Sequence, residues 1–226
     1  MNIFKFFYVY GIIFVVFLCS NVFSIITHPN TNMTTLNFPT SDIIGKWGNN
    51  ASCVVIAPNM VITTCHQGGG VGTIVKVKDK KYTVSQCYVL LNNEGKSVDV
   101  RIALLGGASF TSYVRVITPD ISYPAGETVY IAGYGKVRGK AKYAGNNIYA
   151  YEWAENSLNS PFWCTNNLSS PSDESNFVVS DFDGKDTLID GESSEAEGIT
   201  AVYDSGGGWF IKQNGVWFLV GLSTST

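Results

Sequence analysis

A serine near the C-terminal end of the chain has neighbours that suit nucleophilic chemistry. It lies in the segment Tyr203-Asp204-Ser205-Gly206-Gly207-Gly208, directly before a strand-like hairpin at residues 209–221. Glycines after a serine leave room for a substrate backbone and permit positive φ values. A tight turn of this kind can direct successive N–H groups at a developing oxyanion. The segment therefore predicts a nucleophile for acyl transfer at Ser205.

A histidine and an aspartate upstream could complete a catalytic triad. His66 is one of only two histidines, and it ends a pair of apolar segments joined at Pro58-Asn59, which predicts a hairpin with the histidine at a strand end. Asp99 opens the next apolar segment and could orient an imidazole beside it. The three residues then have the roles of base, orienting group and nucleophile.

Each of these residues also has a non-catalytic interpretation. A histidine after an apolar strand is commonly a packed or surface residue, and Ser205 could be an ordinary turn serine. Asp99 and Arg101 lie two positions apart, so their side chains share one face of a strand and could form a surface ion pair. These alternatives remain open at the level of sequence.

The composition is that of a globular β protein. The chain has 13 Phe, 12 Tyr, 5 Trp and 45% hydrophobic residues, enough for a substantial core, and its 23 Gly accompany short alternating segments rather than helical periods. The formal charge is −3, and no basic cluster exceeds the one at residues 78–81. Because binding to phosphates needs many basic residues on one face, nucleic acid is excluded as an expected partner.

The N-terminal segment indicates an exported protein. Residues 1–24 combine one Lys, an apolar aromatic run and Val22-Phe23-Ser24, a pattern typical of a secretory signal peptide. A secreted or extracytoplasmic location follows. The alternative is that the apolar segment is retained as a membrane anchor, which is the one way in which a membrane would be a partner.

Turn-forming and structure-breaking residues divide the rest of the chain into three parts. Residues 25–42 are predicted to be a flexible segment, residues 43–118 a first barrel containing His66 and Asp99, and residues 119–226 a second barrel containing Ser205. Strands are expected near residues 51–57, 60–65, 73–78, 82–91 and 99–105 in the first barrel, and near 129–132, 148–153, 176–180, 209–211 and 216–222 in the second.

Four segments in this order resemble the trypsin/chymotrypsin-like serine proteases, in particular their short bacterial-type members. They are VVIAPNMVITTCH at 54–66, DVRIALL at 99–105, IAGYG at 131–135 and YDSGGG at 203–208. The order His, Asp, Ser also differs from that of α/β-hydrolases and subtilisins. The resemblance implies an all-β protein with two six-stranded antiparallel barrels. The second is expected to be truncated, because the chain ends at Thr226, before the family's last strand and helix.

The activity that the resemblance implies is that of a secreted serine endopeptidase. It would hydrolyse protein or peptide substrates through a His66-Asp99-Ser205 triad and an acyl-enzyme, with no cofactor and no metal. The alternatives are a weak or inactive protease-like binding module and a serine esterase.

The resemblance also implies an oxyanion site made by the N–H groups of Tyr203 and Ser205. The family usually has glycine at the position of Tyr203, and a bulky residue there threatens the required peptide orientation. Loss of one donor would reduce turnover by roughly 10² to 10³. We therefore expect a weakened protease rather than an inert one.

The specificity pocket is expected at Ile199 and Thr200. Counting back from Ser205, the position that carries an acidic residue in trypsin falls at Ile199, which predicts a preference for small or apolar side chains. Glu195 and Glu197 lie close by, and a register two residues different would reverse this preference.

Two further expectations concern Asp204 and the cysteines. The basic cleavage site and Ile-Val-Gly-Gly sequence of the family are missing, so another cation or hydrogen-bond donors should satisfy Asp204. In the predicted hairpin Cys53 lies opposite Cys65, and the family has a disulfide near this place, so we expect a bridge between them. Because the chain has no Cys-x-x-Cys pair, no metal site is predicted.

Overall fold

The structure is a computed structural model of the chain. It describes residues 25–27, 36–118, 123–145, 147–157, 160–169, 180 and 196–224. The predicted signal peptide at residues 1–24 lies outside these ranges. No helix within them is long and apolar enough to cross a membrane.

The described residues are built from β-strands, with one turn of 3-10 helix at Ser41–Ile43 and no α-helix. The predicted all-β class is confirmed. The strands are β1 (Ile26–Thr27), β2 (Ile44–Trp47), β3 (Ala51–Ala57), β4 (Met60–Thr64), β5 (Ile74–Val77), β6 (Lys80–Leu91), β7 (Ser97–Leu105), β8 (Arg115–Val116), β9 (Thr128–Gly133), β10 (Lys136–Ala144), β11 (Asn147–Ser157), β12 (Phe162–Asn167), β13 (Gly198–Ile199), β14 (Gly208–Gln213) and β15 (Val216–Leu222).

Six antiparallel strands form a closed barrel in the order β2-β3-β4-β7-β6-β5. Its interior is filled by small and branched side chains that alternate along the strands, including Val55, Val61, Val75 and Ala103, each fully buried. The barrel corresponds to the first barrel predicted for residues 43–118. The five strands expected in that region are all present.

The C-terminal half forms an open five-stranded sheet, and the predicted second closed barrel is not present among the described residues. The sheet has the order β12-β9-β14-β15-β8, with β8 running parallel to β15. Closure requires every strand to have two neighbours, whereas β12 and β8 are edges and β10 pairs with β11 in a separate hairpin. The strand predicted at 176–180 lies outside the described residues except for residue 180.

Part of the segment predicted to be flexible is instead a strand. β1 pairs antiparallel with β13, matching Ile26 to Ile199, and Ile25 beside it is fully buried against Val129 and Ile131. Burial of this isoleucine favours an ordered conformation, because an aliphatic side chain of its size contributes about 2 kcal/mol when buried.

The barrel and the C-terminal sheet share one apolar cluster. It contains Val54 and Ile62 from the barrel and Tyr134 and Phe210 from the C-terminal half. Strands β3 and β4 are thus buried on both faces, which explains their continuous apolar sequences. The shared cluster places the end of β4 beside the turn that leads into β14.

Candidate active site

Strand pairing in the barrel brings His66 next to Asp99. β4 and β7 are antiparallel with Thr64 opposite Val100, so the residues that follow β4 meet the start of β7. The N–H of His66 donates to Asp99 Oδ1 at 2.8 Å, and the N–H of Cys65 donates to the same oxygen at 2.9 Å. The backbone of the histidine is therefore fixed by the carboxylate that faces its ring.

The three predicted catalytic residues form one hydrogen-bonded chain. Asp99 Oδ2 lies 2.6 Å from His66 Nδ1, and His66 Nε2 lies 2.8 Å from Ser205 Oγ. The second distance is within the normal hydrogen-bond range, and the first is slightly shorter, the direction expected for a bond to a charged carboxylate. If Nδ1 carries the proton and donates it to Asp99, Nε2 is free to accept the hydroxyl proton of Ser205. The arrangement can therefore generate a serine nucleophile.

The carboxylate of Asp99 is held in its charged form. Partial burial acts to raise its pKa, but hydrogen bonds from the His66 ring, the His66 N–H and Thr224 outweigh this effect. The pKa of Asp99 consequently lies below its ordinary value. Thr224 Oγ1 donates to Asp99 Oδ2 at 3.1 Å, so a residue near the end of the chain contributes to the site.

Arg101 stabilises the loop after His66 and does not pair with Asp99. Its side chain is buried, donates to the carbonyl of Gly69 at 2.6 Å and to that of Cys65, and lies over the Trp47 ring at 5.6 Å. No salt bridge among the described residues joins it to Asp99. The alternative of a surface ion pair between these two residues is therefore wrong.

The nucleophile turn packs directly against the barrel. The N–H of Ser52 in β3 donates to the carbonyl of Ser205 at 2.8 Å, and the N–H of Gly206 donates to that of Ser223 at 2.8 Å. Gly206 has φ of 80°, and a Cβ on it would collide with the Ser52 carbonyl and with Thr63 Oγ1. Glycine is required here by both conformation and space.

Tyr203 has the backbone conformation of a glycine. Its φ is 77°, a left-handed value that bulky residues rarely adopt and that costs about 1 to 3 kcal/mol. The N–H groups of Asp204, Gly206 and Gly207 are all used in backbone hydrogen bonds. Those of Tyr203 and Ser205 donate to no other described residue. These two N–H groups thus remain for an oxyanion, although residue 203 is not glycine.

Asp204 is buried and satisfied by backbone donors. Its two carboxylate oxygens accept the N–H groups of Gly135 and Ala201, each at 2.7 Å. A Cβ on Gly133 or Gly135 would collide with this carboxylate, so glycine at both positions leaves the space that the carboxylate occupies. Burial raises the pKa of Asp204 to about 7, although the two N–H donors act in the opposite direction. Of the two predicted ways to satisfy the Asp204 carboxylate, a cation or hydrogen-bond donors, the structure shows hydrogen-bond donors.

The residues predicted to form the specificity pocket precede the nucleophile turn. Ile199 is half-buried in β13, where its backbone pairs with Ile26, and Thr200 is buried. Glu197 is also buried, and its backbone forms a bridge with Thr165 of β12. Glu195 lies outside the described residues. The role of Ile199 and Thr200 in substrate binding stays a prediction.

The predicted disulfide between Cys53 and Cys65 is wrong. Both cysteines are free thiols, and so are Cys87 and Cys164. The turn pairs Ala57 with Met60, and a bulge between Val55 and Ala57 then puts Val54 opposite Ile62. Continuing that register places Cys53 opposite Thr63 rather than Cys65. No group of three His, Cys, Asp or Glu side chains within the described ranges is placed to hold a metal ion.

Sequence reasoning missed three contributors to the site: Thr224, which binds Asp99, Arg101, which holds the His66 loop, and Lys136, whose ammonium lies 5.4 Å from the Tyr203 ring centre. For Arg101, its place in an otherwise apolar strand was an available signal, since a buried arginine needs several acceptors.

Comparison with protein-family models and with curated proteins finds no match for the chain.

Proposed function

We propose that this protein is a serine endopeptidase that works through an acyl-enzyme. The observation that supports the proposal is the hydrogen-bonded chain Asp99–His66–Ser205, with 2.6 Å between Asp99 Oδ2 and His66 Nδ1 and 2.8 Å between His66 Nε2 and Ser205 Oγ. Three residues distant in sequence meet in the order that nucleophilic acyl transfer requires.

Acylation begins when Ser205 Oγ attacks the substrate carbonyl carbon and its proton passes to His66 Nε2. Asp99 accepts the Nδ1 proton in a hydrogen bond, which fixes the tautomer and stabilises the imidazolium that forms. The carbonyl oxygen becomes an oxyanion and receives the N–H groups of Tyr203 and Ser205. His66 then donates its proton to the leaving amine, which departs and leaves an ester on Ser205.

Deacylation repeats the sequence with water as the nucleophile. His66 takes a proton from the water, the hydroxide attacks the ester carbonyl, and the proton returns to Ser205 as the acid product leaves. The ionised state of Asp99 serves both steps, because each one forms the same imidazolium.

The proposal includes a distant relationship to trypsin/chymotrypsin-like proteases and export from the cell. Support for the relationship comes from the order of the triad, from the closed barrel that carries His66 and Asp99, and from the open C-terminal sheet adjoining Ser205. Support for export comes from the sequence of residues 1–24. N-terminal sequencing of protein recovered outside the producing cell would test export and show where the leader is removed.

The activity is tested with a mixture of fluorogenic peptides and, separately, a small activated ester. Wild type should cleave both, and Ser205→Ala should cleave neither. The matched control is Ser109→Ala, which removes an exposed serine hydroxyl elsewhere and should retain full activity. Cleavage of the ester alone would identify an esterase instead. Absence of both activities in folded wild-type protein would contradict a hydrolase.

A further inference from the structure

Two consecutive residues contact three consecutive residues of the nucleophile turn. The N–H of Gly135 donates to Asp204 Oδ1 at 2.7 Å, and the N–H of Lys136 donates to the carbonyl of Val202 at 2.7 Å. The ammonium of Lys136 lies 5.4 Å from the centre of the Tyr203 ring, within the range of a cation–π contact. Gly135 and Lys136, the first residue of β10, thus hold both neighbours of Tyr203 as well as Tyr203 itself.

The third contact acts on the residue whose conformation is least favourable. Tyr203 has φ of 77°, and a residue with a side chain keeps such a value only when its surroundings determine it. Both hydrogen bonds come from backbone N–H groups and go to residues 202 and 204, so they do not depend on the side chains at positions 136 and 203. The ammonium–ring contact, in contrast, depends on a lysine and an aromatic residue.

We propose that Lys136 is a positioning residue for the oxyanion site. Its ammonium holds the Tyr203 ring, and thereby holds the Tyr203 peptide in the left-handed conformation that leaves its N–H for the oxyanion. This inference rests on the proposed function, because it assigns that N–H a role in the same reaction. Lys136 acts through Tyr203 and does not touch the reacting atoms.

The proposal makes Lys136 necessary only because residue 203 is not glycine. Glycine adopts positive φ without steric cost, so a glycine at position 203 would need no side-chain contact to hold it. The effect of removing Lys136 should therefore depend on the residue at position 203. Such dependence is measured by a double-mutant cycle.

The experiment compares wild type, Lys136→Met, Tyr203→Gly and the double variant. Steady-state kcat and KM on an ester or peptide substrate are measured, together with the rate of phosphonylation by a fluorophosphonate, whose tetrahedral adduct places an oxygen in the same site. Lys212→Met is the matched control, since Lys212 lies over the Trp217 ring at 5.2 Å on β14. It removes an equivalent ammonium–ring contact from a different aromatic residue.

We expect Lys136→Met to lower kcat by roughly 2- to 30-fold, the range that corresponds to one cation–π contact. KM should change less than roughly 2-fold. An oxyanion donor acts mainly in the transition state, and loss of such an interaction lowers kcat and kcat/KM equally. The same substitution should have no effect on the Tyr203→Gly protein. Lys136→Arg should retain most of the wild-type kcat, and Lys212→Met all of it.

Substitutions at Tyr203 give a second test that leaves Lys136 in place. Tyr203→Phe keeps the ring and should lower kcat less than Tyr203→Leu, which should show the same loss as Lys136→Met. The proposal is overturned if Lys136→Met has wild-type kcat, or if it causes the same loss with tyrosine and with glycine at position 203. A folded wild type that neither turns over substrate nor reacts with the fluorophosphonate would instead overturn the proposed function, and this inference with it.

Discussion

Asp99 and Arg101 bind the same residue, Cys65: Asp99 binds its N–H group and Arg101 binds its carbonyl. Asp99 Oδ1 accepts the Cys65 N–H at 2.9 Å, and the Arg101 guanidinium donates to the Cys65 carbonyl. The two side chains share a face of β7 because they are two positions apart. They hold the backbone directly before His66 rather than neutralising each other, which keeps the Asp99 carboxylate available to the imidazole.

Replacing Arg101 should destabilise the protein more than replacing an exposed arginine. Arg101→Met removes the buried guanidinium that donates to the carbonyls of Cys65 and Gly69. Because hydrogen bonds from a charged donor are lost, the free energy of unfolding should fall by about 2 kcal/mol or more. Arg115→Met, on the exposed strand β8, should change it by less than about 0.5 kcal/mol. Urea unfolding measures both, and equal effects would contradict a structural role for Arg101.

The two hydrogen bonds to Asp99 Oδ2 should differ in their importance for turnover. Asp99→Asn should lower kcat by roughly 10⁴, because the amide no longer fixes the productive His66 tautomer. Thr224→Val removes one neutral donor to the same oxygen and should lower kcat by about 10-fold. Activity of Asp99→Asn near that of wild type would show that Asp99 only supports the backbone of the loop.

The candidate triad and the closed barrel could be predicted because their signals are local. Alternation of apolar residues indicated the barrel strands, and the neighbours of His66, Asp99 and Ser205 in the sequence indicated their roles. The structure brings these three residues together as predicted. Their catalytic function stays a prediction until turnover is measured.

The features that could not be predicted depend on register or on distant contacts. The disulfide prediction failed because the β3–β4 turn pairs Ala57 with Met60 and the register shifts again between Val55 and Ala57, which together place Cys53 opposite Thr63. The contact between Lys136 and the Tyr203 ring joins residues that are remote in sequence. The second barrel was inferred from resemblance, and sequence periodicity alone cannot distinguish a closed sheet from an open one.

The close approach of Gly206 to the barrel predicts a large effect of a single methyl group. Gly206→Ala should abolish activity and lower stability, since the new Cβ collides with the Ser52 carbonyl and with Thr63 Oγ1. The matched control is Gly126→Ala, which has the same φ of 80° but open space around the added Cβ. The control carries only the cost of the backbone conformation, about 1 to 3 kcal/mol, and should stay active. Equal losses of activity in the two variants would contradict the packing described for the nucleophile turn.

Asp204 should make the protein less stable as the pH rises. Its pKa is raised by burial from 3.8 to about 7 in the folded state, so between these values the folded protein holds a proton that the unfolded chain has released. The stability contributed by that proton falls through this window and is lost above pH of about 7.

The measurement is urea unfolding of wild type and Asp204→Asn at pH 5 and pH 8. Wild type should lose more free energy of unfolding over this interval than the variant, by on the order of 2 to 3 kcal/mol. Groups common to both proteins, including Asp99, cancel in the comparison. Parallel pH dependences would show that Asp204 does not titrate in this range.

The central claim is that Ser205 is a nucleophile activated by His66, and covalent labelling tests it most directly. Folded protein is incubated at pH 8 with a fluorophosphonate, digested, and mapped by mass spectrometry. The adduct should lie on Ser205, and it should be absent from Ser205→Ala and from His66→Ala while Ser109→Ala is labelled like wild type. Folded wild-type protein that carries no adduct, or carries it equally after loss of His66, would contradict the claim.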